Sequence, residues 1–132
     1  VIRDVGLMDE DYFLYFEETD FCLQAARHSW ECWYVPDSRV IHYVGQSTGV
    51  VSGDKDRARR PIYWFEARQH YFLKNHGVLY TISADLLWGI GFAVWRLRRL
   101  MQKKPDTDPE NMLVDFWKNS FLCDFIRKGL SK

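Results

Sequence analysis

The chain has 132 residues and a mass of 15.8 kDa, with 18 Lys+Arg balancing 18 Asp+Glu. That length encloses one modest core and excludes a large two-domain enzyme. The zero net charge and a pI near 7.1 exclude a chain-wide nucleic-acid footprint, which needs a basic excess along one face. Aromatic residues make up 17% of the chain, too much buried-type surface for a disordered segment. The cysteines Cys22, Cys32 and Cys123 are odd in number and form no C-x-x-C pair. Neither a disulfide framework nor a zinc knuckle follows, and a reducing compartment is the default. The first residue is Val1, with no charged or apolar leader after it, so the chain is expected to be a fragment of a longer protein.

In chain order, Tyr12 to Phe16 is a dense aromatic run that predicts a short buried strand or extended segment. A helix follows from about Thr19 to His28, because Phe21/Ala25 and Cys22/Ala26 recur four apart. Acidic residues crowd its first turn, and Arg27 and His28 its last. Trp30 to Val35 alternates in β-forming residues, Pro36-Asp37 makes a turn, and Arg39 to Val44 predicts a second strand carrying His42. Gly45 to Asp56 lacks periodicity and predicts a loop, closed by Arg57, Arg59 and Arg60. Residues 62–75 predict an aromatic-rich helix with Gly77 as its C-terminal stop.

Leu79 to Trp95 contains Asp85 as its sole charge and runs into Arg96, Arg98, Arg99, Lys103 and Lys104. On a helical wheel, Trp88, Phe92, Trp95 and Arg99 share one side, opposite Leu86, Ile90, Ala93, Leu97 and Leu100. Aromatic rings leading into cations suit a lipid headgroup boundary. The segment is short for a spanning helix and includes two glycines and an aspartate, so lying in the interface is one reading. Burial against another part of the protein is the other. A further amphipathic helix is expected from Leu113 to Ile126.

The string G-L-M-D-E-D-Y-F-L-Y-F-E-E-T-D-F-C-L over residues 6–23 resembles a motif of the family-two inverting glycosyltransferases, especially rhamnosyltransferase-like members from bacteria. The resemblance continues in Trp33 to His42, in Gly45-Gln46-Ser47-Thr48, and from Arg59-Arg60-Pro61 to Lys74-Asn75-His76-Gly77. It implies an α/β fold, the acceptor-side, C-terminal portion of a Rossmann-like GT-A catalytic domain, over residues 1–77; the helical spacing above adds an amphipathic helical region over residues 78–132. It also implies a nucleotide-sugar donor, a glycan or lipid-linked glycan acceptor, and a divalent cation, Mn or Mg. The expected location is cytoplasmic, and the basic-flanked apolar segment after Leu79 adds a peripheral place at the inner face of the bacterial plasma membrane, on an anionic lipid surface.

An inverting transferase needs a carboxylate beside the acceptor hydroxyl, to take its proton as the oxygen attacks the anomeric carbon. The resemblance puts that base at the second residue of the acidic pair Glu17-Glu18, where Glu18 stands in place of the family's Asp. The extra methylene moves the carboxylate by about 1 Å, a displacement that matters to rate. A favourable first-turn charge is the alternative role for both residues. His42 matches the family's metal-ligating histidine, with a satisfied core or surface histidine as its alternative role. Arg59 and Arg60, with Arg57, follow the loop as a clamp for the donor diphosphate or as a solvated charge run. Ser47 and Thr48 are hydrogen-bond donors to the phosphate or turn formers. Asp9-Glu10-Asp11 copies the spacing of a D-x-D metal motif but falls in the wrong segment and is expected to be structural, and His70 and His76 carry no assigned role. The nucleotide-binding half is not within these residues, so this fragment alone is expected to be inactive. Exposed strand edges would favour self-association into a homo-oligomer. A non-catalytic, membrane-associated interaction module is the rival reading.

Overall fold

The computed structural model describes residues 1–41 and 58–130, and places five helices in them: α1 (Ile2–Val5), α2 (Glu17–Arg27), α3 (Ile62–Met101), α4 (Met112–Lys118) and α5 (Phe121–Leu130). Among the described residues there is no strand, which overturns the α/β, Rossmann-like expectation. The physical reason differs between segments. The aromatic run 12–16 cannot extend, because Tyr15 and Phe16 take left-handed backbone angles (φ 73° and 69°) and coil the chain. Residues 30–41 run without regular structure apart from the predicted turn at Pro36-Asp37, closed by Ser38 N–H donating to the Val35 carbonyl at 3.1 Å. Among the described residues their β-forming composition has no neighbouring strand to pair with, and Trp33 and Tyr34 lie exposed.

Helix α2 begins two residues before the expected Thr19, so Thr19 lies inside it. It ends in a Schellman motif: Ser29 takes φ 64°, its N–H reaches the Ala26 carbonyl at 3.0 Å, and Trp30 N–H reaches Ala25 at 2.9 Å. The coiled aromatic run docks on the start of α3, with Phe13 edge-on to Tyr63, Tyr15 stacked on Tyr63, and Phe16 against Trp64 and Tyr71.

Helix α3 is broken at Gly77, whose φ of 79° and ψ of 178° fall in a region only glycine enters readily. The break gives α3 its function in the fold. In a straight helix, 17 residues of separation put Arg68 about 25 Å from Asp85. Here the two halves fold back on one another, and Arg68 Nη1 meets Asp85 Oδ1 at 2.5 Å. A Cβ at position 77 would touch nothing within 4 Å, so the cost of a side chain there is backbone strain alone. Gly77→Ala is therefore expected to lower stability by about 1–3 kcal/mol, read by urea denaturation, with helicity by circular dichroism unchanged. A loss below about 0.5 kcal/mol would show that the bend is not held by the glycine.

The core lies where α3 meets α4: Phe65, Met112 and Phe116 are buried, with Trp64, Trp88, Phe92 and Trp117 packed around them. Trp88 stacks on Phe116 with ring centroids 3.9 Å apart. Gly89 makes room for this layer, since a Cβ there would come within 2.2 Å of the Trp117 indole. The single C-terminal helix expected from the sequence is two helices, because Ser120 interrupts it and caps α5, accepting from Cys123 N–H at 3.2 Å.

Candidate functional site

The N-terminus of α2 presents three carboxylates in its first turn, Glu17, Glu18 and Asp20, where the helix dipole stabilises negative charge. Their helical spacing separates their fates. Glu17, Asp20, Gln24 and Arg27 recur three or four apart, on one face. Asp20 is 2% exposed and its carboxylate accepts from Lys74 Nζ at 2.7 Å, Asn75 Nδ2 at 2.6 Å and Gln24 Nε2 at 3.2 Å. Glu17 is half-buried, and its Oε2 is shielded from solvent without a hydrogen-bond donor among the described residues. Glu18, about 100° further round, is exposed.

Asn75 is the hub of the bracing network. Its side-chain carbonyl accepts from Gln24 at 2.8 Å and Arg27 at 2.7 Å, and Arg27 also donates to the Asn75 backbone carbonyl at 2.7 Å. Lys74 extends it to Asp9, whose Oδ2 lies 2.6 Å from the Lys74 ammonium and 3.0 Å from His70 Nε2. Tyr12 is buried with its ring edge-on to His70, and burial and the Asp20 charge push its phenol well above the usual range. Two sequence motifs, E-E-T-D on α2 and K-N-H-G at the end of the first half of α3, are thus one structural unit.

The charges are set by these contacts. Lys74 and His70 hold the Asp9 carboxyl well below its ordinary range. Burial works to raise Asp20, but bonds from Lys74, Asn75 and Gln24 more than offset it and leave it lowered. Burial likewise pulls the Lys74 ammonium down, and its bonds to Asp20 and Asp9 carry it above its ordinary value. Depressed carboxyls contribute stability that is complete above the unfolded value near ~3.9 and is lost as pH falls through the folded value. The raised Lys74 contributes below about 10.4 and loses it as pH climbs through its folded value. The α2–α3 junction is therefore most stable between about pH 4 and pH 10. Lys74→Met is expected to cost about 2–3 kcal/mol at neutral pH, less than a fully buried pair because the ammonium is one-third exposed, and to move the acid unfolding limb toward higher pH. Urea denaturation across a pH series checks both, and an unmoved acid limb would refute the linkage.

Other expected site residues fall elsewhere. His42, Ser47, Thr48 and Arg57 lie outside the described residues. Arg59 is bidentate with buried Asp115, Nε and Nη2 each donating at 2.6 Å, so its guanidinium fork is committed to α4. Arg60 is exposed beside a cavity of about 310 Å³ lined by Arg59, Ile62, Phe65, Asp115, Lys118 and Asn119. Asp9, Asp11 and His70 bring three ligand atoms within 4.8 Å of one another, but the Lys74 ammonium sits on the same Asp9 oxygen. Among the described residues this donor set does not fit a divalent cation, since its Asp9 oxygen already holds the Lys74 ammonium. Sequence reasoning missed Asp20, Lys74 and Asn75 as a unit. The signal was their presence in the two motifs, but long-range pairing leaves no periodicity to find.

The chain is 27% identical over 93 residues to dTDP-rhamnosyl transferase RfbF of Shigella flexneri, covering 68% of this chain and 31% of that protein. It is 40% identical over 45 residues to the N-acetylglucosaminyl-diphospho-decaprenol L-rhamnosyltransferase of Mycobacterium tuberculosis, covering 34% of this chain and 15% of that protein. The chain thus spans less than a third of the length of these relatives. No family model and no solved structure matches. Over part of its length the chain is similar to rhamnosyltransferases, at low identity, and that similarity supports a glycosyltransferase relationship.

Proposed function

We propose that the protein to which this chain belongs transfers a sugar, a deoxyhexose such as rhamnose, from a nucleotide-sugar donor to a glycan or lipid-linked glycan acceptor, with inversion. The observation that carries this reading is the Glu17-Glu18 pair held at the α2 N-terminus by the Asp20–Lys74–Asn75 network, in a chain similar over part of its length to rhamnosyltransferases. Glu18 is the base in this reading, because its carboxylate is open to an incoming acceptor while Glu17 turns toward the protein. The acceptor oxygen bonds to the anomeric carbon, the bond from that carbon to the diphosphate oxygen breaks, and the acceptor proton passes to Glu18. Arg60 is the candidate for contacting the departing diphosphate, since Arg59 is held by Asp115.

The second reading, an interaction module without chemistry, is favoured by the exposed aliphatic face of α3. The test that separates them is nucleoside diphosphate release by the full-length protein, from a panel of nucleotide sugars with an oligosaccharide-lipid acceptor, with and without Mn²⁺ or Mg²⁺. Acceptor-stimulated release from one donor is expected, with dependence on the ion deciding the metal. No release and no donor binding would leave the interaction module. The 132-residue chain alone is expected to give no turnover.

A further inference from the structure

The two sides of α3 beyond Gly77 differ in a way that the expected aromatic membrane face does not anticipate. The aromatic side is the packed one: Trp88 and Phe92 lie against Phe116, and Arg99 is 4% exposed, bonded to Asp106 at 2.8 Å and Asp108 at 2.5 Å. Thr81, Asp85 and Gly89 are buried on that side too. The opposite arc is aliphatic and open. Leu79, Leu86, Leu87, Ile90, Val94, Leu97, Leu100 and Met101 are 41–82% exposed, within about 140° of the wheel. A contiguous apolar stripe of that length on a folded chain marks a surface that is covered in use.

We infer that this arc is a docking surface for an anionic lipid bilayer, with the second half of α3 lying in the headgroup plane. Composition fits a membrane, since α3 contains a stretch long and apolar enough to cross one, of which 17% is buried. Crossing is disfavoured by the other flank, where buried Asp85 and Arg99 hold ion pairs and α4 packs against the helix. A helix that is apolar on its exposed side and packed and ion-paired on the other belongs in the interface. Charge complementarity names the lipid. Between Glu66 and Asp106 the sole carboxylate is Asp85, which is fully buried, while Arg98, Lys103 and Lys104 are exposed at the end of the stripe. Tyr80 and Trp95, half exposed, flank one border, as amphipathic rings do at a headgroup boundary. A second copy is the poorer occupant. A parallel pair brings the basic ends together, and an antiparallel pair sets each against a stretch with no exposed carboxylate to receive it.

The inference stands apart from the transfer chemistry, because its test needs no donor. The 132-residue chain is to be co-sedimented with phosphatidylcholine vesicles, with and without phosphatidylglycerol, while its oligomeric state is followed by analytical ultracentrifugation. Binding to the anionic vesicles is expected. Ile90→Glu and Leu97→Glu, both at exposed positions where the fold has no stake, are each expected to weaken it about tenfold. Each of Arg98→Gln, Lys103→Gln and Lys104→Gln is expected to weaken it about fivefold at low salt. Circular dichroism confirms that these variants keep their helices. No sedimentation with anionic vesicles, or binding unchanged by both glutamate variants, would overturn the proposal. A dimer that those variants dissociate, without vesicle binding, would overturn it in favour of the second copy.

Discussion

Asp85→Leu is expected to destabilise the fold by about 3–5 kcal/mol, the cost of leaving a buried charge without its partner. Asp85 is fully buried and Arg68 nearly so, and the guanidinium left behind would sit between the rings of Phe72 and Phe116, each 4.8 Å from its carbon. The variant also removes the acceptor that the second Asp85 oxygen offers to Leu122 N–H, at 3.4 Å in the first turn of α5. Arg68→Met is expected to cost as much, since it strands a fully buried carboxylate. The double variant Arg68→Met/Asp85→Leu is expected to recover most of the loss, because paired removal replaces a desolvated ion pair by apolar packing. Urea denaturation of the four chains gives the coupling directly, expected at about 2 kcal/mol or more. Two small, additive costs would show that the pair holds nothing together. Against a total stability of about 5–15 kcal/mol, either single change removes a large share.

Asp85 also shows why the sequence was legible in some places and closed in others. An aspartate in an apolar segment is visible from composition, and so is the arginine in the aromatic helix before it. What joins them is the bend at Gly77, and a predicted stop at Gly77 does not say in which direction the chain turns. Local features were readable for this reason: α2, the Gly77 break and the Pro36-Asp37 turn each follow from neighbouring residues. The strands were misread because β-forming composition describes a surface that needs a partner, and residues 30–41 have none among the described residues. The aromatic run was misread because ring packing on Tyr63, Trp64 and Tyr71 overrides backbone preference, holding two consecutive aromatic residues at positive φ. At the candidate site the acidic pair was readable, but the network that fixes it comes from residues more than fifty positions away.

That division of labour sets the last expectation. Glu18→Gln in the full-length protein is expected to lower the rate of sugar transfer by about 10²–10⁴-fold, the usual worth of a positioned general base. Donor binding should be kept, because the change removes basicity and little volume. Stability should move by less than about 1 kcal/mol, since Glu18 is exposed and its structural role is a first-turn charge. Asp20→Asn is the contrasting variant. It weakens the junction of α2 with Lys74 and Asn75, so its loss of activity should come with a loss of stability that Glu18→Gln does not show. Glu18→Asp separates a base from a mere charge: it keeps the carboxylate, moves it by about 1 Å, and should retain more activity than the amide. Full turnover by Glu18→Gln would take the proton-accepting role from Glu18. Glu17→Gln would then be the decisive variant, because the shielded Glu17 Oε2 has no hydrogen-bond donor among the described residues.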